Sequence, residues 1–399
     1  MRILFISYNG ALTPLLQSQG LPYLSGAAKA KHEITLLTYE NDLTSNEGEK
    51  EYARMAQRLS AEKIRWVPLK FHRRPHILAK IYDLAQGAIV SIFLVYKYKI
   101  ETVHCRGIFT TLIGLVTVSV SRRAMIFDER SKLSEAYAVS GRWKKGTLIF
   151  NLMNFLESLC ERCSKGIVVE TDFHKDQIMK VAQKDRLISV IPCCVDLSRF
   201  KNTTNSTRGG GLAITYLGSL SGWYCFDEII GFFQSTKEIL PQARLNFLTR
   251  DNPEEIRRRI AGNNAELLNS VMINNAAPEE VPKLLSFSRA GIVFRYPGSR
   301  LSSFPIKIGE YLAAGLPVVL NKGMGQAEAF ISENKVGVVI KGLTDNDYKE
   351  GVMRLLDLLN EESIAKRCRK AAESLSMEIG IEKYLDLYER VGRQLYQKR

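Results

Sequence analysis

A chain of 399 residues that is 45% hydrophobic and 25% charged, with a mean hydropathy of −0.10, has the balance of a globular protein and the length of two domains. Its formal charge of +14 is concentrated in residues 1–200, but no nucleic-acid-binding module accompanies it, so nucleic acid is not an expected partner. Seven irregularly spaced cysteines do not make a disulfide framework and suit a reduced, cytoplasmic chain, and the longest apolar runs, 87–96 and 108–120, fall short of the roughly 20 residues of a bilayer span.

Short β-branched runs alternate with segments of helical period, which predicts parallel sheets covered by helices. In the first half the expected strands are ILFIS, EITLLTY, KIRWVPL, TVHC, AMIFD, GIVVE and LISVI. The opening MRILFISYNGAL leads straight into a strand, with no cleavage site of a secretion signal. Residues 54–80 carry eight cations against Glu62 alone, a basic patch able to face anionic lipid or water. Pro75 stands where a helix can begin, and residues 84–96 are too uniformly apolar for a surface helix, so they belong to the core or face a membrane. The lone CxxC of Cys160 and Cys163 falls in a helical pattern and reads as a pair of core thiols, not a zinc site.

The polar, glycine-ending stretch at 201–211 marks a linker. Beyond it the alternation restarts with AITYL, ARLNFLT, SVMIN, AGIVF, PVVL and VGVVI, and the chain closes on an amphipathic helical pattern at 381–397. The expected organisation is an N-terminal domain at 1–200, the linker, a C-terminal domain at 212–380, and a terminal helix at 381–399 that can cross back to the first domain.

Ligands of open parallel sheets bind at the carboxyl ends of the strands, so the chemistry is expected in the post-strand loops. There is no GxGxxG, Walker loop, HExxH or GxSxG, which removes the main support for dehydrogenase, nucleoside triphosphatase, zinc protease and serine hydrolase readings. The most informative stretch is RYPGSRLSSFPIKIGEYLAAGLPVVLNKGMG at 295–325. A helix starting near Pro305 offers free backbone N–H groups to a phosphate; Ser302 and Ser303 precede it, and Arg300, Lys307 and Arg295 add countercharge. Glu310, about one turn after Lys307, can accept hydrogen bonds from sugar hydroxyls; the plainer alternative is an i,i+3 surface pair of the two.

The run PIKIGEYLAAGLPVV resembles the donor-site helix of glycosyltransferase family 4. SQGLPYL, VIPCCVDLSRF and YLGSLSGWY agree with that family in order along the chain. The resemblance implies an α/β chain of GT-B fold, two Rossmann-like, doubly wound parallel-sheet domains facing a central cleft. It also implies a retaining transfer from a nucleoside diphosphate sugar, which is substrate and not cofactor. Carried over, Glu310 matches the glutamate that binds the donor ribose, and Gly218 and Ser219 match the glycine turn that approaches the diphosphate. The partner glutamate falls on Ser302, and the Arg and Lys that usually follow the glycine turn are missing. In the first half the loop HCRGIF places His104 or Arg106 near the reacting sugar. His104 lies in the strand pattern, so Arg106 is preferred, with Glu129 as a second catalytic candidate and Asp128, Arg130, Ser18 and Gln19 on the acceptor side. Cys193 and Cys194 replace the family's Asn-Gly.

These features imply a metal-independent enzyme of the polysaccharide-type branch. It would transfer sugar to a saccharide or polyprenyl-linked acceptor in bacterial surface polysaccharide synthesis, in the cytoplasm or peripherally at an anionic inner membrane face. The missing Glu, Arg and Lys motivate a rival, a non-catalytic GT-B scaffold; a nucleotide-sugar epimerase of the same architecture is a third.

Overall fold

The computed structural model describes residues 1–41, 46–139, 141–181, 186–200, 211–220, 224–296 and 304–396. The chain divides into two compact units, the first comprising Met1–Ala138, Trp143–Pro192 and Met377–Arg399 and the second Val139–Arg142 and Cys193–Ser376. The first unit therefore closes at Pro192, not at residue 200. Val195 and Phe200 are buried in the core of the second unit, and Val195 N–H donates to Leu375 O at 2.8 Å. All but one residue of the linker at 201–211 lies outside the described residues.

The first unit runs β1 (Arg2–Ser7), α1 (Pro14–Gln19), α2 (Leu21–Lys29), β2 (Glu33–Glu40), α3 (Asn46–Ala61), β3 (Ile64–Lys70), α4 (His76–Lys97), β4 (Thr102–Arg106), α5 (Ile108–Ser121), β5 (Ala124–Glu129), α6 (Leu133–Val139), α7 (Leu148–Cys163), β6 (Gly166–Val169), α8 (Asp172–Val181) and β7 (Leu187–Val190). The second continues with β8 (Ala213–Leu217), α9 (Phe226–Ile239), β9 (Arg244–Leu248), α10 (Pro253–Asn264), β10 (Val271–Asn274), α11 (Val281–Leu285), β11 (Ala290–Val293), α12 (Ile306–Ala313), β12 (Val318–Asn321), α13 (Gln326–Asn334), β13 (Gly337–Ile340), α14 (Asp345–Leu359) and α15 (Ile364–Glu373). The last helix, α16 (Met377–Tyr396), returns to the first unit, where it packs on α2 and β7. Each of the 13 strands among the described residues falls on one of the β-branched runs named above.

Both sheets are parallel throughout. Their orders are β3-β2-β1-β4-β5-β6-β7 and β10-β9-β8-β11-β12-β13, two doubly wound Rossmann-like patterns. In each, the order reverses between the first strand and the fourth, β1 beside β4 and β8 beside β11. At such a switch point the connections leave in opposite directions and open a crevice beyond the strand ends.

The helices on one face of the first sheet have an unusual distribution of side chains. α4 turns Ala79, Asp83, Gly87 and Ser91 inward while Ile77, Ile81, Ile89 and Phe93 are exposed. Gly87 is required by a close approach: a Cβ there would lie 2.1 Å from the Tyr39 hydroxyl, which donates to Asp83 O at 2.5 Å. Within 84–96, Ala88, Leu94 and Val95 are buried while Ile89, Phe93 and Tyr96 are exposed, so α4 serves the core with one side and presents apolar side chains on the other. At 22 residues α4 also exceeds the apolar run that suggested no span; it is long and apolar enough to cross a membrane by length and composition, although Asp83 anchors it to the sheet. Of the CxxC pair, Cys160 is buried and Cys163 exposed on α7, so only the first is a core thiol.

Candidate functional site

The switch point of the second sheet gathers most of the described donor-site candidates. Gly218 directly follows β8 and has φ +97°, a conformation open to glycine and costly for other residues. Its N–H donates to Leu248 O at 2.8 Å. Ser219 Oγ donates to Asp251 at 3.0 Å, and Leu220 N–H donates to the same carboxylate at 2.5 Å. The turn after β8 is therefore pinned from below. Arg295 follows β11, the neighbouring strand, and Asn321 from the end of β12 grips its backbone in both directions, accepting from the N–H and donating to the carbonyl at 3.0 Å each.

α12 begins at Pro305, as its sequence predicts, with no side-chain cap. Lys307 in its first turn is 5% exposed and extends to the β8 turn. Its Nζ donates to Tyr216 Oη at 3.0 Å and sits 3.6 Å from the centroid of the Tyr224 ring. A Cβ on Gly218 would come within 3.5 Å of that Nζ. Tyr216 in turn donates to Ser219 O at 2.6 Å, so one chain of bonds ties the ammonium to the glycine turn. Among the described residues Lys307 has no ion-pair partner. Burial, and then the like charge of Arg295, hold its pKa well below the usual lysine value. The more distant carboxylates of Glu310 and Asp251 oppose this only in part, so a buried cation with no direct ion pair among the described residues is unfavourable by itself, and an anion at this point would relieve it.

Glu310, one turn on, does not pair with Lys307. It lies 3.8 Å from Arg199, and burial raises its pKa against the opposing pull of Arg199 and Lys307. The i,i+3 pair considered from sequence is absent among the described ion pairs because the two side chains diverge, one toward β8 and one toward Arg199. Arg300, Ser302 and Ser303 lie outside the described residues.

In the first unit, the switch point carries a different arrangement. Arg106 at the end of β4 donates to Asp128 at 2.9 Å, and Arg130 reaches the other oxygen of the same carboxylate at 2.9 Å. Tyr384 of α16 donates to Asp128 and accepts from Arg130, both at 2.8 Å. Burial alone would raise the Asp128 pKa, yet Arg130, Arg106 and His104 outweigh it and hold the carboxyl far below its ordinary range. His104 is fully buried beside Tyr388, 2.7 Å from its hydroxyl, and burial lowers its pKa; its place in the strand pattern indicated as much.

Glu129 does not join this group. Successive strand residues point to opposite faces of a sheet, so Glu129 lies on the other side, 3.3 Å from His174. The structure therefore separates it from Arg106, the other residue named as catalytic. Glu129, Glu161 and His174 bring three potential metal-ligand atoms within 4.8 Å of one another. Lys132, however, already sits 2.9 Å from Glu161, and Glu129 and Glu161 raise its pKa against the effect of burial, so an ammonium provides the positive charge there. Neighbouring Glu157 is pushed up to about 7 by burial, with Ser134 opposing. Ser18 uses its hydroxyl on the carbonyl of Pro14 at 2.8 Å within its own helix, and Gln19 is buried.

Sequence reading missed Tyr216, Tyr224 and Arg199 in the second unit and Tyr384 and Tyr388 in the first. The last two carried a signal, since tyrosines four apart share the inward stripe of an amphipathic helix. Tyr216 sits in a strand and looked like core.

The profile of the Glucosyltransferase 3-like C-terminal domain matches residues 300–374, the segment from α12 to α15. No curated protein matches the sequence. Among solved structures, sucrose-phosphate synthase from Thermosynechococcus elongatus superposes with a TM-score of 0.74 at 16% identity over 100% of both chains. Anabaena HepE in complex with UDP-glucose gives 0.69 at 12% over 100% of both. The lipopolysaccharide outer core galactosyltransferase WaaB gives 0.66 at 12% over 98% of this chain and 99% of that one. The chain has the GT-B fold, two Rossmann-like parallel-sheet domains.

Proposed function

We propose that the protein is a glycosyltransferase of family 4 that transfers a sugar, with retention, from a nucleoside diphosphate sugar to a hydroxyl of a saccharide or polyprenyl-linked saccharide. The observation that carries this reading is the buried ammonium of Lys307 beside the Gly218 turn, which has no ion pair among the described residues. Departure of a nucleoside diphosphate leaves an oxocarbenium-like sugar and places new negative charge on the leaving oxygen. Lys307, with Arg295 close by, meets that charge without reorganisation and without a metal, and Gly218 lets backbone approach the phosphates. Glu310 accepts from the ribose hydroxyls. Arg106, tied to Asp128 and Arg130, acts on the acceptor side by holding that strand end in one geometry. Family assignment and retention rest on the sequence resemblance; bacterial surface polysaccharide synthesis, a cytoplasmic setting and attachment at an anionic membrane are parts of the same reading.

The test is a screen of UDP- and GDP-sugars by thermal shift, followed by product analysis with and without EDTA and with saccharide acceptors. Stabilisation by one donor, with slow hydrolysis or transfer of an anomer of retained configuration, is expected. Turnover lost in EDTA and restored by manganese would overturn the metal-free mechanism, and stabilisation without turnover would favour the scaffold reading. The putative UDP-N-acetylglucosamine 2-epimerase of Listeria monocytogenes has a similar fold, with a TM-score of 0.62 at 13% identity over 98% of this chain and 97% of that one, which keeps a second reading open. An epimerase would return isomerised nucleotide sugar with no acceptor present.

A further inference from the structure

The helical face formed by α4, α5 and α7 exposes large apolar side chains, although α4 also buries Leu94 and Val95 in the core. On α4 the residues spaced four apart toward the sheet, Ala79, Asp83, Gly87 and Ser91, are small or polar. The parallel stripe on the outer side is Ile77, Ile81, Ile89 and Phe93, with Ile77 76% and Ile89 70% exposed. An ordinary surface helix buries its large apolar residues and exposes the others. α5 packs between α4 and α7 and adds exposed Val116 and Val120; α7 adds Leu148, Leu152 and Phe155, with Leu148 86% exposed. Single exposed apolar residues are ordinary, but a stripe continued across three adjoining helices marks an interaction surface.

Charge identifies what covers it. The three helices contain three acidic residues, Asp83, Glu157 and Glu161, and all are buried. Asp83 faces His72 at 2.6 Å and Tyr8 at 3.1 Å, while Glu157 accepts from Ser134 at 2.5 Å. Exposed cations stand at the helix ends: Arg73 and Arg74 before α4, Lys97 and Lys99 at its close, Arg122 after α5, and Lys144 before α7, where Lys145 is paired with Glu135 of α6 at 2.7 Å. A protein partner with an ordinary mixed surface would not call for the complete removal of exposed acids. An apolar face rimmed by Lys and Arg matches the interface of an anionic bilayer, where side chains of this kind enter the headgroup region while cations pair with lipid phosphates.

We infer that the α4–α5–α7 face seats the protein on an anionic membrane surface, with α4 lying in the interface plane and not crossing it. Asp83 and its hydrogen bonds hold the inner side of α4 to β1, β2 and the chain after β3, so the helix stays part of the domain. This deepens the membrane element of the proposed function, and it stands or falls independently of the donor chemistry. It also separates the attachment face from the basic stretch at 54–63 on and after α3, whose charges lie on other elements.

The experiment is sedimentation of the full chain with phosphatidylglycerol-containing vesicles and with pure phosphatidylcholine vesicles, at low and high salt. The comparison is a triple variant Ile81→Glu, Ile89→Glu, Phe93→Glu, which alters exposed side chains alone. Wild type should bind the anionic vesicles, weaken with salt and bind neutral vesicles poorly. The triple variant should lose at least about tenfold in partitioning, while nucleotide-induced thermal stabilisation, a check on folding and on the donor site, stays unchanged. Equal partitioning of wild type and variant would overturn the assignment. So would absence of vesicle binding, or a concentration-dependent dimer in solution that the triple variant abolishes, since a second copy would then be the occupant.

Discussion

The two switch points are built from the same topology and hold charge in opposite ways. Beyond β1 and β4, Arg106 and Arg130 share Asp128, Glu170 lies 3.8 Å from Arg130 and supplies the second negative charge, and Tyr384 bridges Asp128 and Arg130. Beyond β8 and β11, Lys307 is as deeply buried but meets a hydroxyl and two aromatic faces, with Arg295 adding charge of the same sign. The first arrangement is complete without a ligand. In the second, burial of the Lys307 ammonium is unfavourable by itself and a bound anion would relieve it, which is the ground for proposing the diphosphate there and the acceptor at the first.

The largest test of this contrast is Asp128→Asn. Removing one member of a buried ion pair strands its partners, here two arginines, at a cost of about 3–5 kcal/mol. A fall of that size in urea-unfolding free energy is expected, and a change under 1 kcal/mol would mean that the arginines are adequately solvated. The mirror experiment is Lys307→Met. Turnover should fall about 10²–10³-fold, the loss typical of removing one group that stabilises leaving charge, yet the protein should become more heat-stable because an uncompensated buried ammonium is gone. A variant both slower and less stable would show Lys307 to be a structural residue.

Glu310→Ala is expected to weaken donor binding by about tenfold or more, since a hydrogen bond to a charged group contributes roughly 1.5–3 kcal/mol and 1.4 kcal/mol is one decade. Glu310→Gln keeps one acceptor oxygen and should lose less. Wild-type donor affinity in a folded Glu310→Ala would reduce the carboxylate to a partner of Arg199. The smallest effect is protonic. The pKa of Lys307 is lowered in the free protein by burial and by Arg295, and phosphate charge would raise it. Nucleotide binding should therefore take up a fraction of a proton that grows as pH rises, with affinity falling over the same range. Calorimetry in buffers of different ionisation enthalpy measures this; no buffer dependence would place Lys307 away from the phosphates.

Legibility in the sequence was uneven for a physical reason. Parallel strands buried on both faces are near-continuous β-branched runs, so all 13 could be found from the sequence, and Pro305 marked the start of α12. Lys307 and Glu310 were legible because helix spacing fixes their relation within one turn. Arg106 and Glu129 end adjacent strands, β4 and β5, and the register that sets Arg106 opposite Asp128 sends Glu129 to the other face, a separation that no local motif reveals. The apolar stretch in α4 was recognised, but which stripe faces inward depends on what the sheet presents to it, namely Tyr39 against Gly87.

Alone, the sequence determined the two-part α/β organisation, the strands, the position of the α12 start and the net positive charge, because each follows from periodicity and composition over short distances along the chain. Tertiary structure decided which charges are compensated. Lys307 and Gly218 are 89 positions apart, Asp128 and Tyr384 256 apart, and only folding tells whether a buried cation meets a carboxylate or a tyrosine. That difference, set by strand order and helix return and not by any local motif, is what separates the Asp128 ion network from the Lys307 site, where the ammonium meets a hydroxyl and aromatic faces.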